Sequence, residues 1–187
     1  MNKSVFSAEE ELLLQGSINA VFLSSICISA KDFLESDYFK NLQFPFEKVK
    51  GMYENKNIAV GNLGMLASCL YLLLVLPKEK LVSRYPQEYN KVNSWIEDNS
   101  LKISDSYNYK DDADKSLRHI RHIRNAVSHG NIELGEEKDC IFMDSKEKLG
   151  TYKLRMKLTN IGELMGKLIE VQRPFVADMI KKQNSSI

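Results

Sequence analysis

From Ile58 to Leu76 the chain runs 19 residues without a charged side chain, between Lys56 and the Pro77-Lys78 pair. A segment of this kind has two destinations. A bilayer takes about 20 consecutive apolar residues; the middle of a helical bundle takes a helix covered on most sides by its neighbours. Gly61, Asn62, Gly64 and Ser68 dilute the first half of the run, which lies mid-chain between amphipathic stretches. The expectation is a buried central helix, no membrane partner, and a fold arranged around that helix.

The rest of the sequence supplies the surrounding elements. Four prolines and nine glycines favour long regular elements over a many-turned β fold. Ser7 with Glu10 three residues later is a capping-box pattern. It predicts a helix from Ala8 to about Glu35, with Leu12, Leu13, Ile18, Phe22, Ile26 and Phe33 on its apolar face. Short helices are expected over Phe46 to Tyr53 and from Pro86 to about Glu97, the second turning Trp95 and Ile96 inward. Asp98 to Lys110 reads as a loop. Asp111, Asp112 and Asp114 open a helix that ends near Ser128, before Gly130. Two strands follow, Cys140 to Asp144 and Tyr152 to Thr159, with Ser145 to Gly150 as the turn and Ile132 to Leu134 extending the first. In the second, Leu154, Met156 and Leu158 alternate with Lys153, Arg155 and Lys157. Asn160 with Glu163 caps a last helix running to about Lys182, kinked at Pro174. The fold class is mainly α: a single domain over residues 1–187, an antiparallel helical bundle with one β-hairpin before the C-terminal helix.

Composition narrows the function classes. Apolar residues make up 43% and charged residues 27%, as in an ordinary globular protein. Lys plus Arg number 26 against 25 Asp plus Glu, so a nucleic-acid partner would have to be recruited by a local patch. Cys27, Cys69 and Cys140 are far apart with no CxxC spacing, which fits buried thiols in a reducing compartment and neither a zinc ribbon nor a disulfide framework. Glu9, Glu10 and Glu11 follow the first residues too closely for a signal peptide, and neither Asn2 nor Ile187 fits a lipidation motif. The expected location is cytoplasmic.

The informative stretch is Leu117-Arg118-His119-Ile120-Arg121-His122-Ile123-Arg124-Asn125-Ala126-Val127-Ser128-His129-Gly130. At about 100° per residue, Leu117, Ile120, Ile123 and Val127 share a core-facing side. Arg118, Arg121, Asn125 and Ser128 fall opposite, with His122 and His129 near them and Arg124 at the border. The stripe is either a solvated basic face or a phosphate-binding one. Arg offers phosphate oxygens a planar fork, and His titrates near neutral pH. His119 and His122 are spaced to share a metal, but no third ligand accompanies them, so no metal and no cofactor is expected. Arg124 and His129 are five residues apart and diverge by roughly 140° on a continuous helix. Either the helix breaks near Ser128 and turns His129 back, or a two-fold axis brings both residues of two copies into one cleft.

Arg124-Asn125-Ala126-Val127-Ser128-His129 resembles the Arg-x4-His motif of the HEPN superfamily (higher eukaryotes and prokaryotes nucleotide-binding), with Asn125 at its polar second position. The resemblance covers Asp111 to Gly130 in detail and most of the chain in layout. It implies a HEPN-like bundle, a homodimer through the helix carrying Arg124 and His129, and a metal-independent endoribonuclease of toxin or phage-defence type acting on RNA. A protein antitoxin is a possible partner. Arg124 and His129 would be the catalytic pair, with Asn125 orienting or binding phosphate. Arg118, Arg121 and His122, with Lys153, Arg155 and Lys157 on the hairpin, would hold the RNA backbone. The alternative is an inactive HEPN module that binds RNA, a nucleotide or a protein partner. Some HEPN toxins are silenced by modification of a Tyr two residues after the motif His; Asn131 stands there, so that control is not expected.

Overall fold

The computed structural model describes residues 6–110 and 116–185. Ser7 starts the first helix as its pattern dictates: its Oγ accepts the Glu10 N–H at 3.2 Å, and the Glu10 carboxylate accepts the Ser7 N–H at 3.0 Å. Helix α1 spans Ala8–Ile28, and α2 (Ala30–Glu35) continues beyond Ser29. The expected single helix therefore bends at Ser29, where the N–H still reaches the Ser25 carbonyl. Helices α3 (Asp37–Asn41) and α4 (Glu47–Glu54) follow.

The uncharged run enters the core, but not as one helix. Residues 58–62 form a turn, and the Asn62 side chain caps α5 (Leu63–Leu70) by accepting the Met65 N–H. A π-helical turn, Tyr71–Val75, completes it. Cys69, Leu70, Leu73, Leu74 and Val75 are buried. The Gln172 side chain donates to the Leu73 carbonyl at 2.8 Å and accepts from Ser17 Oγ at 2.6 Å, tying three elements together inside the bundle. Among the described residues it is α1 that is long and apolar enough to cross a membrane; a third of that stretch is buried against its neighbours.

Helices α6 (Lys78–Arg84), which like α3 the sequence reading did not contain, and α7 (Pro86–Asp98) lead to a strand it also missed. Leu101–Asp105 is not loop but strand β1, an exposed edge strand with a register shift between Lys102 and Ser104. Its alternation, Leu101-Lys102-Ile103-Ser104, is only four residues long in an otherwise polar stretch; backbone pairing with the basic strand holds it. After α8 (Arg118–His129) come β2 (Ile132–Leu134), β3 (Asp139–Lys146) and β4 (Gly150–Lys157). The expected hairpin is β3–β4, the centre of a four-stranded antiparallel sheet in the order β1-β4-β3-β2. Ile132 to Leu134 is a separate strand paired to β3, not an extension of it. Helix α9 (Leu158–Asn184) begins two residues before the expected cap, and Asn160 instead donates to the Asn99 carbonyl. It runs on through Pro174.

Alternation along β3 and β4 sends Cys140, Phe142, Asp144, Tyr152, Leu154 and Met156 inward. Helix α8 packs on this inner face of the sheet. Gly150, at φ 102°, turns the β3–β4 hairpin where a Cβ would lie 2.3 Å from the Ser106 carbonyl oxygen. Ser106 and Asn108 donate backbone N–H groups to Thr151 and Leu149. The hairpin tip thereby holds residues 106–109 beside α8.

Candidate functional site

Helix α8 is set in place before any of its functional groups is considered. The Asn93 side-chain carbonyl, on α7, accepts the backbone N–H groups of His119 at 3.0 Å and Ile120 at 3.3 Å. These are the second and third helical positions, which a local N-cap side chain ordinarily serves. At the other end Gly130 adopts φ 70°, its N–H meets the Val127 carbonyl, and the Asn131 N–H meets the Ala126 carbonyl. This is a Schellman ending. The helix therefore runs unbroken through His129. Within one chain Arg124 and His129 stay on one rigid element and diverge by about 140°. The acidic residues expected to open this helix, Asp111, Asp112 and Asp114, lie outside the described residues.

The buried face is wider than its apolar residues suggest. Ile120, Ile123, Ala126 and Val127 are buried, and so are His119 and His122, at 2% and 1% exposure. His122, expected to hold the RNA backbone, is thus corrected to an interior position: its ring stacks on Tyr152 at 4.1 Å, and the edge of Tyr107 lies 4.6 Å away. Its Nδ1 donates to Asp144 Oδ2 at 2.7 Å, and its Nε2 meets the Tyr109 hydroxyl at 2.9 Å. Asn125 donates to the same Asp144 oxygen at 2.8 Å. A chain of bonds, Tyr109–His122–Asp144–Asn125, therefore links the loop before α8, the helix itself and β3.

Electrostatics fix the protonation of Asp144 and Tyr109, the partners on either side of His122. Burial alone would raise the Asp144 carboxyl, but the hydrogen bonds from His122 and Asn125, with the charge of Lys146, hold it below the usual carboxylate range. It is an acceptor at neutral pH. Burial, with the nearby Asp105 carboxylate, pushes the Tyr109 hydroxyl up to about 12, so it keeps its proton. His119 is pushed down to about 4, first by burial and then by the Arg118 guanidinium, so it is neutral. Its Nε2 accepts from Arg118 Nε at 3.2 Å, and its Nδ1 bonds the Tyr152 hydroxyl. Neither ring is free to share a metal ion with the other. Among the described residues no group of three His, Cys, Asp or Glu is placed to hold one.

The remaining expected residues separate into two regions. Arg124 is half-buried and His129 exposed. Arg118 pairs with Glu97, and the Arg121 guanidinium lies over the rings of Tyr107 and Tyr109 at 5.7 and 5.4 Å. Both are on the helix that carries the motif. Lys153 and Arg155 instead face away from α8 on the outer side of the sheet, where Arg155 pairs with Asp139, and Lys157 ends β4. The hairpin cations and the motif do not line one cleft within a chain. Sequence reasoning missed Asn93, Tyr109, Asp144 and Tyr152. The signals were present: His119, His122 and Ala126 repeat at helical spacing beside the Ile stripe, and Asp144 shares its strand parity with Cys140 and Phe142.

A mainly helical bundle with a small sheet and an Arg-x4-His helix defines a HEPN-type module. The sequence model of the family described as HEPN pEK499 p136 matches residues 9–177, and the chain belongs to this family. No curated protein and no solved structure matches it.

Proposed function

We propose that this protein is a homodimeric, metal-independent endoribonuclease whose site forms between two copies of α8. The observation that supports it is the unbroken helix ending at the Gly130 cap, which leaves an intrachain Arg124–His129 pair no way to converge. A two-fold axis beside α8 supplies the missing partner groups. His129, exposed at the helix end, moves a proton as the RNA 2′-OH attacks the adjacent phosphorus. Arg124 stabilises the charge that builds on the phosphate oxygens. The products are a 2′,3′-cyclic phosphate and a 5′-OH, and DNA is inert for want of the 2′-OH. Arg118 and Arg121 extend the RNA track along the helix. Lys153, Arg155 and Lys157 serve RNA only where it passes round the sheet to the outer face. A cytoplasmic toxin or phage-defence role, held in check by a protein antitoxin, fits such an activity.

A mixed RNA pool incubated with the protein in EDTA tests this. The expected result is cleavage leaving cyclic-phosphate ends, lost in Arg124→Ala and in His129→Ala at unchanged fold and dimer mass. Undiminished cleavage by both variants overturns it. One observation favours a second reading, a module that binds RNA, a nucleotide or a protein without turnover: Asn125, Arg118 and Arg121 are all engaged with protein groups. Binding without cleavage, weakened by added salt, would mark that case.

A further inference from the structure

We propose that Asp144 is a positioning residue of this site: by accepting from both His122 and Asn125 it fixes the rotation of α8, and with it the directions of Arg124 and His129. The inference rests on the ribonuclease reading for its kinetic consequence and on the bonding geometry alone for its structural one.

Asp144 is 3% exposed and on the inward register of β3, directly across from Tyr152 on β4. A single oxygen, Oδ2, takes both bonds, 2.7 Å from His122 and 2.8 Å from Asn125. His122 and Asn125 are one helical turn apart, so the two donors form a short rail along α8 that the carboxylate engages from the sheet. His122 is gripped from its other edge by Tyr109, whose loop is anchored to the hairpin at Leu149 and Thr151. Ile120, Ile123, Ala126 and Val127 already hold α8 against the core. Apolar packing tolerates small rotations of a helix, whereas two directed bonds to one atom do not. Buried polar pairs are weak contributors to stability, and conformational specificity is what they can add.

The lever is large enough to matter. Side-chain tips lie about 6 Å from a helix axis, so a roll of about 10° moves them by roughly 1 Å. A displacement of about 1 Å at reacting groups lowers turnover by roughly 100-fold. At a two-fold interface the same roll occurs in both copies and separates groups that must meet.

The test compares Asp144→Leu, His122→Asn and His122→Phe. Asp144→Leu keeps much of the volume and offers no acceptor to either neighbour; an Asn there would keep one acceptor oxygen and so would not serve. His122→Asn places an Nδ2 donor where the imidazole Nδ1 stood; His122→Phe keeps the ring and removes the donor. On RNA, kcat should fall by about 30- to 100-fold in Asp144→Leu and in His122→Phe with KM within about threefold of wild type. His122→Asn should recover to within about threefold of wild type. A kcat for Asp144→Leu within threefold of wild type overturns the proposal. So does a His122→Asn protein as slow as His122→Phe, which would make the imidazole itself the working group. Backbone amide spectra supply the second readout. Signals from Val127 to His129 should shift in Asp144→Leu and stay at wild-type positions in His122→Asn; unmoved signals in Asp144→Leu overturn the proposal. If wild type cleaves no RNA, the ribonuclease reading fails and the spectra alone decide the positioning role. Should Asp144→Leu not fold, the two His122 variants decide it.

Discussion

Asn93→Leu removes the group that caps α8 from a neighbouring helix. Asn93 is 7% exposed, so water does not replace it readily. Two backbone donors lose their acceptor, at 3.0 and 3.3 Å, and the longer bond counts for less. An unmet buried donor costs about 1–3 kcal/mol, and loss of a helix cap about 0.5–2 kcal/mol. Taken as one event, the expected destabilisation is about 2–3 kcal/mol. For a domain of this size that lowers Tm by roughly 5–10 °C. Asn93→Asp should lose less, because a carboxylate accepts both bonds and sits at the positive end of the helix. Thermal unfolding followed by circular dichroism measures all three proteins. A Tm for Asn93→Leu within 1 °C of wild type would refute capping in trans.

Gly130→Ala should lower stability by about 1 kcal/mol through its positive φ alone, since a Cβ there meets nothing within 4 Å; an unchanged Tm would contradict this. Gly150→Ala should cost at least twice as much, because its Cβ meets the Ser106 backbone as well as a positive φ; equal melting temperatures for the two variants would count against that contact. Stability should fall on acidification from pH 6.5 toward pH 4. The unfolded His119 takes up a proton near its ordinary value of 6.5, whereas the folded one refuses it until about 4. The unfolded state binds the extra proton across that window, which amounts to about 3 kcal/mol over its full width. The Asp144 carboxyl, held low in the fold, adds to the loss below the ordinary carboxylate range. Urea titrations at pH 7.5 and 4.5 read the difference, and equal stabilities would refute the burial of a neutral His119.

The helices were legible where local chemistry writes its own boundary: the Ser7–Glu10 box, Pro86 at the start of α7, and Gly130 at the end of α8. The hairpin was legible because Leu154 and Met156 alternate with Lys153 and Arg155. Strand β1 was hidden because all its residues are exposed and its partner, not its side chains, makes it a strand. The start of α9 was misplaced because Asn160 serves a distant carbonyl rather than its own helix. Arg124, Asn125 and His129 could be read directly, since a motif is a local pattern. What lies beneath them could not, because Asn93, Tyr109 and Asp144 reach α8 from three other parts of the chain. A wheel that treats His as polar also places His122 on the wet side, whereas two directed partners and a stacked Tyr152 bring it inside.

The central claim is that Arg124 and His129 act across two chains. Mixing separately inactive Arg124→Ala and His129→Ala proteins, after unfolding and refolding together, tests it most directly. Mixed dimers then hold one Arg124 and one His129 on different copies of α8. The account predicts that RNA cleavage returns in the mixture, in proportion to the mixed dimer formed. A mixture as inert as its two components, with mixed dimers present by mass, would contradict it.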